Sequence, residues 1–209
     1  VPMGSQFELI GKGSLTIDGN ASDGIGIGND YDHGYGDITI NSTGTLEINS
    51  NGNECLCIGG GYNENESEIN LISGKIKLLM HTHNGLAIGS YHGDADISIS
   101  DRCTLDITMS GIKVAGIGSI SGIASITSGA DIHITCTGAQ ATGIGSLEEG
   151  EGSIFIRNGK VNMKMRSAKH TCIGTLGGNI NTKIQDSEII IDSEGDDVTG
   201  IGDAVGSGN

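Results

Sequence analysis

Apolar and polar residues alternate with a period of two in short runs along most of the chain. The segments 56–58, 69–71 and 76–78 each place large aliphatic residues two positions apart. A glycine turn follows the first segment, and Ser73-Gly74 separates the second from the third. Such alternation is typical of strands with one buried face, and no apolar period of about 3.6 residues is long enough to predict a helix.

One dipeptide, Ile-Gly, returns in register with these runs. Its isoleucines stand 27 to 31 residues apart, and a further copy at Ile10-Gly11 lies out of register. A return this regular indicates a stack of near-equivalent structural units. The copies in register are Ile27-Gly28, Ile58-Gly59, Ile88-Gly89, Ile117-Gly118, Ile144-Gly145, Ile173-Gly174 and Ile201-Gly202.

Each unit holds three alternating segments, and the third gives the clearest aliphatic columns. Three strands per unit, each aligned with its counterpart in the next, predict an all-β fold: a single-stranded parallel β-helix of about seven coils of three short strands, with about 29 residues per coil. A β-sandwich would need hairpin signals between consecutive strands. We expect a right-handed coil, the usual hand of parallel connections. The third-segment pairs are Leu15/Ile17, Leu46/Ile48, Ile76/Leu78, Leu105/Ile107, Ile132/Ile134, Val161/Met163 and Ile189/Ile191.

Small residues surround each core isoleucine of the Ile-Gly repeat. The glycine after it allows a sharp backbone turn. The small residues before it leave two interpretations open: a tightly packed corner, or a flat bare surface on which another chain or a polymer lies. Those preceding residues are Gly26, Cys57, Ala87, Gly116, Gly143, Cys172 and Gly200.

Composition and charge narrow the class of protein. The chain has 37 glycines but one proline and no Gly-X-Y period, which excludes collagen. The net charge of −15 argues against nucleic acid or an anionic membrane as a partner. No apolar run reaches the length of a membrane span. The charge fits solubility, cation binding or a surface exposed outside a cell.

Two features concern the ends of the fold and the cysteines. Residues 1–6 (VPMGSQ) resemble a vector-derived linker remnant, so we predict a single solenoid domain at 7–209, a fragment of a larger protein. The five cysteines show no metal-ligand spacing. Cys55 and Cys57 lie in one predicted strand, too far apart for a disulfide. We interpret the cysteines as small buried hydrophobes.

A bulky residue follows each Ile-Gly at +3 or +4 from the isoleucine, forming a second predicted column. Three of its members are Tyr31, Tyr62 and Tyr91. If exposed, these tyrosines form a stacking platform for sugar rings, and we name them as candidate glycan-binding residues. If covered by the corner loops, they form a satellite apolar cluster. The column continues as Ile120, Leu147 and Leu176.

Acidic residues crowd the same corners, and calcium prefers several carboxylate and carbonyl oxygens on a loop. Asp30 and Asp32 are the best candidate calcium ligands, although a solvated acidic rim also accounts for these corners. We predict no other cofactor. The histidines of one unit are interpreted as surface residues rather than metal ligands. They are His81, His83 and His92.

The sequence contains few groups of residues that could form a catalytic site. Arginine occurs only at Arg102, Arg157 and Arg166, too few to favour an enzyme acting on an acidic polymer. The adjacent pair Asp196/Asp197 could serve general acid-base work, but a solvated turn accounts for it as well.

The region from Leu9 to Gly208 resembles the glycine-rich surface repeats of gut Firmicutes and related bacteria, and is similar to β-helical carbohydrate-binding proteins displayed by cellulose-degrading bacteria. The matching residues are Gly24-Ile25-Gly26-Ile27-Gly28 with Ile38-Thr39-Ile40 and Gly44-Thr45-Leu46-Glu47-Ile48. The resemblance implies a bacterial extracellular or cell-surface location.

We therefore expect a non-catalytic module of a bacterial surface or secreted protein. It would act as an adhesin that binds a glycan or polysaccharide, or as a rigid stalk between other domains of a longer protein. We expect no nucleic-acid partner and no membrane insertion by this segment. The alternative is a polysaccharide lyase or glycoside hydrolase of the β-helix type.

Overall fold

The computed structural model of the chain describes residues 1–30, 33–61 and 67–203. Within those residues the secondary structure is strand without helix, as predicted, so no helix there could cross a membrane. The strands are β1 Gln6–Gly11, β2 Leu15–Asn20, β3 Asp23–Gly28, β4 Asp37–Gly60, β5 Glu68–Ser90, β6 Ala95–Ile99, β7 Cys103–Ser119, β8 Ala124–Ser128, β9 Asp131–Arg157, β10 Lys160–Gln185, β11 Glu188–Glu194 and β12 Asp197–Asp203.

Each strand pairs in parallel with its counterpart one coil along the chain, which makes the molecule a parallel β-helix of about seven turns. Each coil has three faces, and we number the coils 1 to 7 by their Ile-Gly copies. Face A contains 6–11, 37–41, 68–71, 95–99, 124–128, 152–157 and 180–185. Face B contains 15–20, 45–51, 74–81, 103–110, 131–138, 160–167 and 188–194. Face C contains 23–28, 54–60, 84–90, 113–119, 140–146, 169–175 and 197–203.

The Ile-Gly dipeptide sets the register of face C, as predicted. Its isoleucines pair in one unbroken column from Ile27 in coil 1 to Ile201 in coil 7. The columns that begin at Leu15 and Ile17 run through face B in the same way. The hand of the coil stays a prediction.

Several strands continue through the corners between faces. β4 runs for 24 residues and β9 for 27. The backbone can keep pairing while it bends, because a corner residue has an equivalent one coil away that takes its hydrogen bonds. The three predicted strands per coil are therefore present as three faces joined by corners that also pair.

Inward side chains from the three faces form one narrow inner core. Similar residues stack there, such as Ile38, Ile69 and Ile97 on face A, each at most 1% exposed. The five cysteines are free and buried, as predicted. Burial raises the pKa of Cys57 to about 12 and that of Cys136 to about 11, so these thiols stay protonated near neutral pH.

In coils 1 to 6, the glycine of each Ile-Gly has a conformation and a contact that other residues cannot share. Gly118 has a φ of +136°, and a Cβ built on it would lie 2.0 Å from the carbonyl oxygen of Gly145. L-residues rarely adopt this φ, and no side chain fits the space. The predicted sharp turn is confirmed, and it coincides with close stacking of successive coils.

In coils 1 to 6, the small residue before each isoleucine faces the inner core. Cys57, Ala87 and Cys172 are all 0% exposed, and a Cβ on Gly26 would lie 2.8 Å from Cγ2 of Ile48. The packed-corner interpretation is therefore confirmed. The alternative of a flat bare surface is wrong, because these residues point into the molecule.

The first residues of the chain take part in the fold. β1 begins at Gln6, Pro2 forms an antiparallel bridge with Tyr35, and Val1 packs against the inner core. The Val1 amino group also donates a hydrogen bond to the Gly28 carbonyl oxygen. Residues 1–6 therefore contribute contacts to the fold, and their origin as a linker remnant stays a prediction.

Candidate functional site

Face C carries apolar residues on its outer side as well. The alternation predicts Leu56 and Ile58 on one side of the strand, but Ile58 lies in the inner core and Leu56 in a second, outer cluster. The alternation fails here because Cys57 and Ile58 both belong to the inner core. Leu56, Leu86 and Ala115 therefore stack in register on the outside of face C.

The chain after the Ile-Gly copies of coils 3 to 6 covers this outer cluster, and we call it the outer corner. Its segments bond from coil to coil: the Tyr91 amide donates to the Gly60 carbonyl oxygen at 2.9 Å, and the Ile120 amide to that of Ser90 at 3.2 Å. Their bulky side chains are only 2–7% exposed and belong to the outer cluster. They are Tyr91, Ile120, Leu147 and Leu176.

For Tyr91, the interpretation as part of a satellite apolar cluster is confirmed. It is 7% exposed, and its ring meets the His92 ring edge to face, with the centroids 4.8 Å apart. Burial, reinforced by the carboxylates of Glu54 and Glu148, raises the pKa of Tyr91 above its ordinary value. Little of the ring is left for stacking on a sugar. The other two predicted stacking residues, Tyr31 and Tyr62, lie outside the described residues.

The outward column of face C becomes smaller and more polar along the rod. Leu56 and Leu86 in coils 2 and 3 give way to Thr142 and Thr171 in coils 5 and 6. Both threonines are 0% exposed, and each donates a hydrogen bond of 3.1 Å to the carbonyl oxygen four residues ahead. These bonds fix the outer corner to face C where less apolar volume fills the space between them.

An open groove of about 580 Å³ follows the rod axis over coils 4 to 6. One wall is a column of polar side chains at the beginning of face C: Lys113, Gln140 and Lys169, paired in register. The opposite wall is the outer corner. The corner contributes Ser121, Leu147, Glu148, Glu149, Leu176 and Gly177.

The cations of the groove have carboxylate partners. Lys113 Nζ lies 2.6 Å from Glu148 Oε1, and this ion pair joins the two walls. Lys169 Nζ lies 3.7 Å from Asp197 Oδ2. Between the lysines, the Gln140 amide makes no hydrogen bond within the described residues. The groove therefore offers charge-paired lysines and one available amide.

The predicted calcium residues are only partly described. Asp30 is exposed and its Oδ1 lies 2.5 Å from His33 Nδ1, whereas Asp32 lies outside the described residues. In the part of the chain that the structure describes, no three His, Cys, Asp or Glu side chains are grouped as a metal site. His81 is exposed and bonds Ser110 Oγ at 2.6 Å, as expected of a surface histidine.

Face A carries a column of carboxylates on its outer side. Asp37, Glu68 and Asp96 are paired in register in coils 2 to 4. Burial, followed by the charge of Glu68, raises the pKa of Asp96 above its ordinary value. The Glu68 amide donates to Asp37 Oδ1 at 3.2 Å. The carboxylates in this column repel one another when they are ionised, so the stability of the fold depends on pH.

Fold and groove together define a parallel β-solenoid with a polar groove on its outer corner. No protein-family model, curated protein or solved structure matches the chain. The groove is the feature that sequence reasoning missed. In the sequence, the polar wall of the groove corresponds to the polar residue four positions before each core isoleucine, which is Lys113 in coil 4 and Gln140 in coil 5.

Proposed function

We propose that this chain is a non-catalytic, glycan-binding module of a bacterial surface or secreted protein. The observation that carries the proposal is the groove over coils 4 to 6. Its volume of about 580 Å³ lies within the range of small-molecule sites, roughly 300–1,000 Å³. Its lining is mostly polar, with side chains such as Lys113, Gln140 and Ser121, which suits the rim of hydroxyls on a sugar.

The rod supports the same proposal. Successive coils are joined by continuous backbone pairing through faces and corners, so the groove is built on a rigid scaffold. The charge of −15 keeps such a rod soluble and apart from other acidic polymers. A rigid, acidic rod can also hold a binding surface away from a cell, which links the adhesin and stalk roles.

The alternative is a glycoside hydrolase or polysaccharide lyase that uses the same groove. Glu148 and Glu149 line it, which is the observation in favour of this alternative. A hydrolase requires two carboxylates that flank the bond to be cleaved. Glu148 and Glu149 are neighbours on one wall, and Glu148 is occupied by Lys113. This arrangement favours binding over cleavage.

A glycan array and pull-down on insoluble plant, fungal and bacterial polysaccharides test the proposal. We expect retention on at least one neutral polysaccharide with no released reducing ends or unsaturated products. Product formation would favour the enzyme. A blank array and a blank pull-down would leave only the stalk.

A further inference from the structure

The groove has a repeat, a direction and a charge balance, and these narrow the class of ligand that it can bind. Its polar wall presents one side chain per coil: Lys113, Gln140 and Lys169. Successive coils of a parallel β-solenoid are about 4.8 Å apart. An extended chain of pyranose rings repeats at a similar distance, so a glycan lying along the axis would meet one polar group for each sugar.

The charge balance disfavours an acidic glycan. Both lysines of the wall already have carboxylate partners, at 2.6 Å for Lys113 and 3.7 Å for Lys169. A uronic acid would have to displace Glu148 or Asp197 and would approach a chain of net charge −15. Glu149, exposed on the corner, would add repulsion.

Gln140 is placed to recognise hydroxyl groups. It lies between the two lysines in the column, and its side-chain amide has both donor and acceptor atoms without a partner in the described structure. A sugar hydroxyl can donate and accept at once, which an amide matches. Leu147 and Leu176 line the groove beside it but are only 2% and 7% exposed, so the polar side chains provide most of its contact surface.

From these observations we infer that the groove binds an uncharged, linear glycan parallel to the rod axis, with about one sugar in each of coils 4, 5 and 6. This inference rests on the proposed function and adds the ligand class, its direction and the number of sugars bound. Gln140 is the central specificity-determining residue.

Isothermal titration calorimetry with cello-, xylo- and manno-oligosaccharides of two to six sugars tests the inference. Oligogalacturonides of the same lengths provide the acidic comparison. We expect a neutral series to bind, with affinity rising from two sugars to about three or four and then levelling off. Equal affinity for the disaccharide and hexasaccharide, or tighter binding of the galacturonides, would overturn the inference.

The variant Gln140→Ala should weaken binding of the best neutral oligosaccharide about tenfold, as expected for the loss of one or two hydrogen bonds. Gln185→Ala is the matched control, since Gln185 is a similarly half-buried glutamine on face A. Both variants should unfold at the same temperature as the parent chain. Equal weakening in both, or in neither, would place the glycan site elsewhere and leave the proposed function standing. Failure of every oligosaccharide, together with a blank array, would remove the proposed function as well.

Discussion

The outer side of face C carries leucines in coils 2 and 3, which we call the packed half, and borders the groove in coils 5 and 6, which we call the open half. The two halves share one backbone, because the Ile-Gly glycines have the same positive φ and the coils pair in the same register. They differ in the side chains between corner and face. Leu56, Leu86 and Tyr91 fill the packed half, whereas Thr142 and Thr171 occupy the outward column of the open half.

The repeat and the groove therefore depend on different residues. The glycine column determines where the chain turns. The residue two positions before the core isoleucine determines whether an aliphatic side chain or a hydrogen-bonded hydroxyl lies beneath the turn. A solenoid can therefore acquire a groove at chosen coils without any change in its architecture, since each coil packs mainly against its neighbours.

The largest effect is expected from the feature that both halves share. Gly118→Ala places a Cβ about 2.0 Å from the Gly145 carbonyl oxygen at a φ of +136°, so successive coils must move apart. We expect a loss of about 4 kcal/mol or more in the free energy of unfolding, measured in urea. Gly200→Ala is the control, because no atom lies within 4 Å of its added Cβ. Equal stability of the two variants would contradict the close stacking of coils.

The next effect separates the packed half from the open one. Leu86 is 0% exposed in the outer cluster, and Leu176, at the edge of the groove, is 7% exposed. Leu86→Ala should cost about 3 kcal/mol of unfolding free energy, and Leu176→Ala about 2 kcal/mol, because the open half already lacks some of the contacts that truncation removes. Chemical denaturation of both variants provides the measurement. A larger loss for Leu176→Ala would mean that the two halves are packed alike.

A smaller effect tests the carboxylate column on face A. The pKa of Asp96 in the folded chain is raised above the ordinary value of 3.8. The chain therefore takes up a proton on folding when the pH lies between these two pKa values. Stability from this group is therefore present at low pH and lost as the pH rises from 3.8 through the folded pKa. Asp96→Asn should raise Tm near neutral pH and flatten its pH dependence.

Asp106→Asn is the comparison for that experiment, since Asp106 Oδ2 lies 3.5 Å from Lys75 Nζ rather than beside another acid. It should leave Tm unchanged or lower it slightly. A decrease in Tm for Asp96→Asn would show that the column is not repulsive.

The smallest effect concerns calcium at Asp30 and Asp32, which stays a prediction. Asp30 is exposed and pairs with His33, so we expect weak binding in the millimolar range and a rise in Tm of about 1–3 °C. Thermal unfolding with and without calcium chloride measures it. The same rise in a variant with both aspartates changed to asparagine would assign the effect to other groups.

The sequence predicts much of the fold because stacked coils repeat their side chains. The isoleucines of face C and the aliphatic pairs of face B lie in the predicted columns. The face A segment of coil 5 is less regular: Ile126 pairs with Ile97, and the buried Ser128 pairs with Ile99. An apolar pattern alone could not show this, because a serine is not expected in a core.

The candidate site was less predictable, for a physical reason. Strict alternation places Leu56 beside Ile58, and the break at Cys57 depends on backbone geometry that a period of two cannot reveal. The column of bulky residues after Ile-Gly was visible in the sequence. Whether Tyr91 is exposed depends on how the outer corner closes over face C, which only the three-dimensional arrangement shows.

The most direct test of the groove as a glycan site is an amide chemical-shift titration of the isotope-labelled chain with cellohexaose, xylohexaose and mannohexaose. For at least one of them, we expect shifts confined to 113, 140, 147–149, 169 and 176–177, with face B unaffected. Shifts centred on face A or face B, or none with any of the three sugars, would contradict the assignment of the groove.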